Sequence, residues 1–362
     1  MKKVTRLKDL AEGLGVSITT VSKALNDHPD ISAKRKKEIL DYAREVNYVP
    51  NQVARSFRQQ RTNMVGIIIS DNANPFYARV IRGIEETLSA HGYHCVVMNS
   101  HEDVDKEIQL VDELRGLNVA GVILTPAAGN KKSCELLRKY DIPYVLVNRY
   151  LEKGEDTYVV LDDYQAAYMT AKHLCSYGNE KIFFLNFLPS VSSAQNRLEG
   201  YKKALEDCGI PYEPNMVVSG CTDQADGYES MKRILERNKP PLSVMCYSDY
   251  IAIGAICAIQ ERGFNLPHDI ALSGNDDIGI LSFVKPRLTT IGSPKLRMGI
   301  ESARLLIELM DDDARKDMAI IASFDEEEIG SRMTTNCIMI RENLTVKQAM
   351  SSLVDQAAKN DN

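Results

Sequence analysis

The chain has few of the features that mark catalysis, membranes or secretion. No uninterrupted apolar run approaches the ~18 residues of a membrane span. The start "MKKVTRLKDL" is basic, but no apolar core follows it, so a secretory leader is not expected. The eight cysteines, at 95, 134, 175, 208, 221, 246, 257 and 337, form no CxxC pair. Several sit inside apolar runs such as "CVVMNS" and "VMCYS", which suits reduced thiols of a cytoplasmic protein. His91 and His94 straddle Gly92 and read as two surface histidines, not metal ligands. No GxGxxG follows the apolar run in "MVGIIISDNANPF". There is no P-loop and no GxSxG, and no histidine falls among the cleft residues named below. An enzyme, a bound cofactor and a metal are therefore not expected. After residue 344 no heptad pattern argues for a coiled-coil tetramer.

What is present is unevenly charged. The 362 residues carry a net charge of −6, with 44% hydrophobic and 26% charged residues, enough for a large core. Residues 1–62 hold 13 Lys and Arg against 7 Asp and Glu. The remainder holds 31 basic and 43 acidic residues. A small basic head on an acidic body suits a head that meets a polyanion and a body that does not.

In the head, Leu7, Leu10, Ala11 and Leu14 share one helical face. Gly15 breaks that helix, and Ser17 suits the N-cap of a second, with Val21, Ala24 and Leu25 inward. A third follows Ser32, with Ile39, Leu40, Ala43 and Val46 inward and "KRKK" near its start. Like charges there oppose the helix dipole, which a phosphate backbone would relieve; a solvated charge run is the alternative. Helix, glycine turn and helix is helix-turn-helix spacing. "GVSITTVSKALN" presents Ile18, Thr19, Thr20, Ser22 and Lys23. Ile18 suits a thymine methyl, Thr19 either base type and Lys23 the guanine acceptors. A generic helical hairpin with a polar face is the other reading. The segment "YVPNQVARSFRQQRTN" carries Val53, Ala54 and Phe57 among Arg55, Arg58 and Arg61. At about two turns it is too short to be stable alone and reads as a linker that becomes helical with a partner.

From residue 64, continuous apolar runs of strand length alternate with helical stretches. That pattern predicts parallel strands covered on both faces. There are more strands than one such sheet comfortably holds, so two doubly wound α/β subdomains are expected, breaking near residues 150–162. The late pieces "RLTTIGS" and "NCIMIREN" read as strands returning between the halves, 311–332 as a surface excursion and 344–362 as a short helix with a frayed tail. Ligands of such sheets bind beyond the carboxyl ends of the strands. Ser70, Asp71 and Asn72 lie at such an end, with Phe76 and Tyr77 opening the next helix. Ser248 and Asp249 follow another strand, Asn275, Asp276 and Asp277 a third, and Arg197 falls early in the helix after "KIFFLNF". One arginine, aromatic rings and a carboxylate suit a polar, hydroxylated small molecule. Asp249 and Asp277 read as structural, bonding backbone amides at loop ends. Asp162 and Asp163 fit either the cleft rim or a surface loop.

"VTRLKDLAEGLGVSITTVSKALN" resembles the start of the lactose/galactose-repressor family of bacterial transcription regulators. The resemblance continues through "YVPNQVARSFRQQRTNMVGIII", "NPFY", "GNEKIFFLNF", "NRLEGY", "SDYIAIG", "GNDDI", "PRLTTI" and "IMIRE", over nearly the whole chain. It implies an all-α helix-turn-helix head, residues 1–48, and a hinge helix or linker, 49–62. It also implies an effector-binding and dimerisation body like a periplasmic binding protein, 63–362. Within the body, one subdomain would span about 63–160 and 293–325, the other about 161–290 and 326–345. It implies a cytoplasmic, nucleoid-associated homodimer on palindromic operator DNA, probing bases and phosphates with Thr5, Ser17, Ile18, Thr19, Thr20, Ser22, Lys23, Asn26, Asn51, Ala54, Arg55 and Phe57. Phe57 takes the place of an apolar wedge, usually Leu, at the operator centre; packing on its own domain is the alternative. The resemblance further assigns effector contacts to Ser70, Phe76, Tyr77, Arg197, Thr222, Ser248 and Asp276. Thr222 falls where the family often has an aromatic, so one stacking wall is expected to be missing. The effector implied is a sugar or sugar derivative; gating by a protein partner or a nucleobase-type corepressor is the alternative. A repressor is the expected role, though an activator has the same sequence features.

Overall fold

The computed structural model describes residues 7–25, 28, 30–46, 48, 62–152 and 154–310. The chain divides into two compact units, Met1–Thr62 and Asn63–Asn362.

The first unit contains α1 (Leu7–Gly13), α2 (Ile18–Leu25) and α3 (Ala33–Glu45). Leu10, Ala11, Val21, Ala24, Ile39 and Ala43 are buried together, two residues from each helix. The turn between α1 and α2 passes through Gly15 at φ +62°, a left-handed conformation that costs glycine nothing and a side-chain residue something. Ser17 then caps α2, its hydroxyl accepting from the Thr20 amide at 3.0 Å. Ser32 caps α3 through the Arg35 amide at 3.4 Å. Leu40 departs from the expected inner face: it is exposed, because its neighbour Ile39 points to the centre of this small core. Tyr42 packs against the core instead.

The second unit holds two parallel sheets. The first runs β2-β1-β3-β4-β5. Its strands are β1 (Met64–Ile69), β2 (His94–Asn99), β3 (Gly121–Leu124), β4 (Tyr144–Val147) and β5 (Tyr158–Val159). The helices between them are α4 (Pro75–Ala90), α5 (Val104–Gly116) and α6 (Lys132–Lys139). The second sheet runs β7-β6-β8-β9, with β6 (Ile182–Leu185), β7 (Val217–Val218), β8 (Leu242–Cys246) and β9 (Ile270–Ser273). It is flanked by α7 (Asp163–Cys175), α8 (Ser192–Asp207), α9 (Gln224–Arg237) and α10 (Asp249–Glu261). Every pairing is parallel, with registers such as Ile67↔Val97, Ile67↔Ile123 and Phe184↔Met245. In each sheet the order reverses beside its first strand, β1 or β6. Such a switch point opens a crevice at the carboxyl ends of the strands.

The inner strands are buried along their length, as their continuous apolar runs predict. The edge strand β2 is not: Val97 is exposed, and among the described residues no further strand pairs with β2 on that edge. The run at 216–220 shortens to the two residues of β7. "RLTTIGS" is not a strand. It makes two isolated parallel bridges, Ser273↔Thr289 and Asp276↔Gly292, and leads from the second sheet into α11 (Lys295–Met310). That helix buries Met298, Ala303, Leu306 and Met310 against the first sheet. Its backbone meets α4 closely: a Cβ on Gly83 would strike the Leu296 carbonyl, and one on Gly299 the Val80 carbonyl. The chain thus crosses between the halves near residues 160–162 and again at 289–295. "NCIMIREN", the excursion at 311–332 and the tail from 344 lie outside the described residues.

Candidate functional sites

In the first unit, the start of α2 turns Ser17, Ile18 and Thr19 outward, with Ile18 47% exposed. Thr20 is half-buried and its hydroxyl is 2.8 Å from that of Ser17, so this pair secures the helix start as well as lining its surface. Ser22 is half-buried too. Lys23 donates to Asp30 at 2.7 Å, and His28 lies 3.3 Å from the same carboxylate. The hydrogen bond from Lys23 holds the Asp30 carboxyl below its ordinary range. Lys23 is therefore an ion-paired lysine. In "KRKK", Arg35 pairs with Glu38 at 2.6 Å. Thr5, Asn26, Asn51, Ala54, Arg55 and Phe57 lie outside the described residues.

In the second unit, one cavity of about 260 Å³ opens between the two sheets. Ser70, Phe76, Tyr77, Arg197, Thr222, Ser248 and Asp276 all line it. On the first-sheet side, Ser70 follows β1 and donates to the Tyr77 hydroxyl at 3.0 Å; Asn148 donates to the same oxygen at 3.3 Å. Asn74 caps α4 through the Phe76 amide, which sets Phe76 and Tyr77 in the first helical turn. Their rings meet edge to face, 5.2 Å apart at 86°.

On the other side, Arg197 projects from the second turn of α8. Its Nε donates to Asp163 at 2.7 Å, and its Nη1 donates to the Tyr247 carbonyl. Burial works against the Arg197 charge, but Asp163, Tyr247 and Asp276 outweigh it and hold the proton more firmly than usual. Burial pushes the Asp163 carboxyl up, and Arg197 opposes it. Asp163 is thus neither rim nor surface loop: it is a buried counter-ion beneath the cavity. Asp162, beside it, caps α7 through the Gln165 amide. Asp276 sits at φ +118°, accepts from Asn275 at 2.8 Å and is pushed up to about 7 by burial. Lys295, buried at the start of α11, donates to the Asp276 and Asp277 carbonyls and ties this loop to the second crossover.

Ser248 serves as the N-cap of α10, accepting from the Ile251 amide at 3.3 Å. Thr222 is exposed, and its hydroxyl donates to Asp226 at 2.7 Å. Asp249 bonds the Ile278 amide and the Thr290 hydroxyl, a structural carboxylate as expected. Asp277 differs: its own amide donates to Thr290, while its carboxylate is exposed.

Several lining residues escape the sequence reading. Phe187 and Tyr247 stack at 5.0 Å and 23°, so the cavity has an aromatic wall even though Thr222 is not aromatic. A second arginine, Arg149, lies 4.9 Å from the Phe187 ring, as Arg197 lies 4.1 Å from the Tyr247 ring. Arg149 donates to Glu102 at 2.9 Å and to the Pro126 carbonyl at 3.2 Å. A histidine is present after all: His101 lines the cavity. Arg149 and Phe187 are each the second residue after β4 and β6, so the carboxyl-end rule that finds Ser70 would have found them. Asp163 carried no such signal, because its partner is 34 residues away.

Residues 6–51 match the bacterial regulatory proteins of the lacI family, and residues 62–328 match the periplasmic binding proteins and sugar binding domain of that family. The chain belongs to the LacI family. It is a DNA-binding transcription regulator of that family and not an enzyme, as its relatives are. It is 33% identical over 308 residues to the HTH-type transcriptional regulator RegA of Clostridium saccharobutylicum, covering 85% of this chain and 93% of that one. Among solved structures, the lac repressor dimer bound to operator and an anti-inducer is 25% identical with a TM-score of 0.74, covering 85% of this chain and 93% of that one. A complex of the regulator CelR with cellobiose is 26% identical with a TM-score of 0.65, covering 84% and 93%. The two-sheet body and helical head are the LacI-family architecture. No described helix is long and apolar enough to cross a membrane.

Proposed function

We propose that this LacI-family chain is an operator-binding repressor, acting as a dimer, whose hold on DNA is set by a neutral hydroxylated ligand, a sugar or sugar derivative, in the cavity between the two sheets. The observation that carries this reading is the charge of the cavity. Its two arginines are each already paired, Arg149 with Glu102 and Arg197 with Asp163. Asp71, Asp223 and Asp276 add further carboxyls to the wall. A phosphate or carboxylate ligand would meet these acids without an unpaired cation to receive it. A hydroxyl both donates and accepts, and suits such a wall. The rings argue in the same direction. Phe187 and Tyr247 stack on each other and Phe76 and Tyr77 meet edge-on, so neither contacting pair opens a slot for a flat nucleobase. The volume of about 260 Å³ falls just below the ~300–1,000 Å³ common for ligand clefts, which suits a small ligand. In the related CelR complex the ligand is cellobiose.

On this reading two heads span two half-sites of a palindrome, with α2 in the major groove and Phe57 wedged at the centre. Ser17, Ile18 and Thr19 lead the contact, with Thr20 and Ser22 behind them. Ligand binding shifts the angle between the sheets and biases the paired linkers. Moving such an equilibrium from 99:1 to 1:99 takes a ligand preference of about 5.5 kcal/mol. The test is thermal stabilisation of the full chain across sugars, nucleobases and amino acids, followed by operator binding with and without each hit. Stabilisation by a neutral sugar together with a change in operator affinity is expected. A panel in which only bases or acids stabilise the chain, or in which operator affinity responds to cell extract alone, overturns the sugar reading.

A further inference from the structure

This inference rests on the reading of the cavity as a polyol site and concerns where one ligand hydroxyl is recognised. Two side-chain atoms in the cavity-lining residues are buried without a hydrogen bond, Oε1 of Glu102 and Nε of Arg149. They belong to one ion pair. Nη1 of Arg149 donates to Oε2 of Glu102 at 2.9 Å and lies 2.8 Å from Oε1, a charge contact without hydrogen-bond geometry. The pair therefore keeps one N–H and one carboxylate oxygen uncommitted, although both groups are removed from solvent. Buried polar groups are rarely left so, because an unmade hydrogen bond there is expensive.

The backbone supplies an independent observation. His101 and Glu102 are consecutive residues at φ +55° and +59°. Left-handed backbone is uncommon for residues with side chains, and two in succession persist only where the surroundings dictate them. Here they do. The Ser100 amide donates to the Ile69 carbonyl and the His101 amide to the Ser70 carbonyl, each at 2.8 Å. Asp103 then caps α5 through the Lys106 amide. Between a strand end and a helix cap, this turn brings Glu102 to the cavity wall opposite Arg197 and Asp276.

We infer that Glu102 and Arg149 form a hydroxyl-reading subsite on the first-sheet side of the cavity, with Glu102 the specificity-determining residue. Both atoms are closed off from solvent, so the pair turns toward the cavity as the ligand enters; one ligand hydroxyl then accepts from Nε–H of Arg149 and donates to Oε1 of Glu102. A hydroxyl satisfies both atoms at once. A carboxylate or phosphate has no proton for Glu102 and repels it, and an ammonium has no lone pair for Arg149. The subsite thus selects neutral polyols, and the orientation of one hydroxyl within them.

The experiment takes a sugar that stabilises the full chain and measures its binding, and that of each monodeoxy analogue, by titration calorimetry on the unaltered protein and on Glu102→Gln. One analogue should bind the unaltered protein about ten- to a hundredfold more weakly than the parent sugar. Glu102→Gln should lose about tenfold for the parent sugar and no longer distinguish that analogue. If Glu102→Gln weakens every analogue by the same factor, its role is structural and the subsite is refuted. A deoxy series in which no single hydroxyl matters more than about threefold on the unaltered protein also refutes it, and does so even if the variant fails to fold. Absence of binding by any neutral polyol removes the effector reading and this inference with it.

Discussion

Arg197 and Asp163 form a buried ion pair at 2.7 Å between the second turn of α8 and the first residue of α7, each side chain no more than 4% exposed. The pair joins two helices beneath the cavity and aims the guanidinium at the Tyr247 face. Removing one partner leaves a buried charge alone. Asp163→Ala should therefore destabilise the chain by about 3–5 kcal/mol, read from the denaturant midpoint. Replacing both, as Asp163→Leu with Arg197→Met, should recover most of that stability while abolishing ligand-induced stabilisation. Equal destabilisation by the single and double changes would show that packing, not charge, holds the helices.

Asp276 predicts a pH dependence with a definite sign. In the folded chain burial pushes its carboxyl up to about 7, with Arg197 and Lys295 lowering it and Asp249 raising it. The native state thus holds this proton more tightly than the unfolded state does. Its stabilising contribution is complete below the ordinary carboxyl range near 4 and is lost as pH rises through about 7. Asp276→Asn should gain stability relative to the unaltered chain above that pH, by at most roughly 4 kcal/mol. Ligand hydroxyls that donate to Asp276 favour its charged form. Binding should then tighten from pH 6 to 8 and release protons near neutrality, seen as different calorimetric heats in buffers of different ionisation enthalpy.

Lys23 is held by Asp30, which changes what its removal should do. Asp30→Ala frees the lysine and removes an acid from the head. Affinity for random DNA should rise, and the slope of log K against log salt should steepen by about 0.9 if Lys23 then reaches a phosphate. Lys23→Ala should reduce affinity for the cognate site more than for random DNA if the lysine reads a base, and equally for both if it contacts phosphate.

Phe57, outside the described residues, carries the wedge proposal. Phe57→Ala should weaken specific operator binding and lower the bend measured by gel mobility, with non-specific binding nearly intact. Unchanged operator affinity would rule the wedge out.

Local rules made much of this protein legible. Glycine at the α1–α2 turn, hydroxyl caps and 3.6-residue apolar spacing identify the head, since these effects act within a few residues. Continuous apolar runs alternating with helices identify two parallel sheets, and the carboxyl-end rule brings Ser70, Arg197, Ser248 and Asp276 to one cavity. The sequence by itself therefore determined the fold class, the family and a set of residues that line one cavity. Only the tertiary structure decided the chemistry there. It paired Arg197 with Asp163 across 34 residues and Arg149 with Glu102 across 47, and stacked Phe187 on Tyr247 from the loops after two separate strands. It also turned Lys23 toward Asp30 and Leu40 toward solvent. The reason is physical. Helix and strand periodicities are fixed by backbone geometry, whereas the partner of a buried charge depends on which loops the sheets bring within a few ångströms, and sequence spacing does not encode that distance.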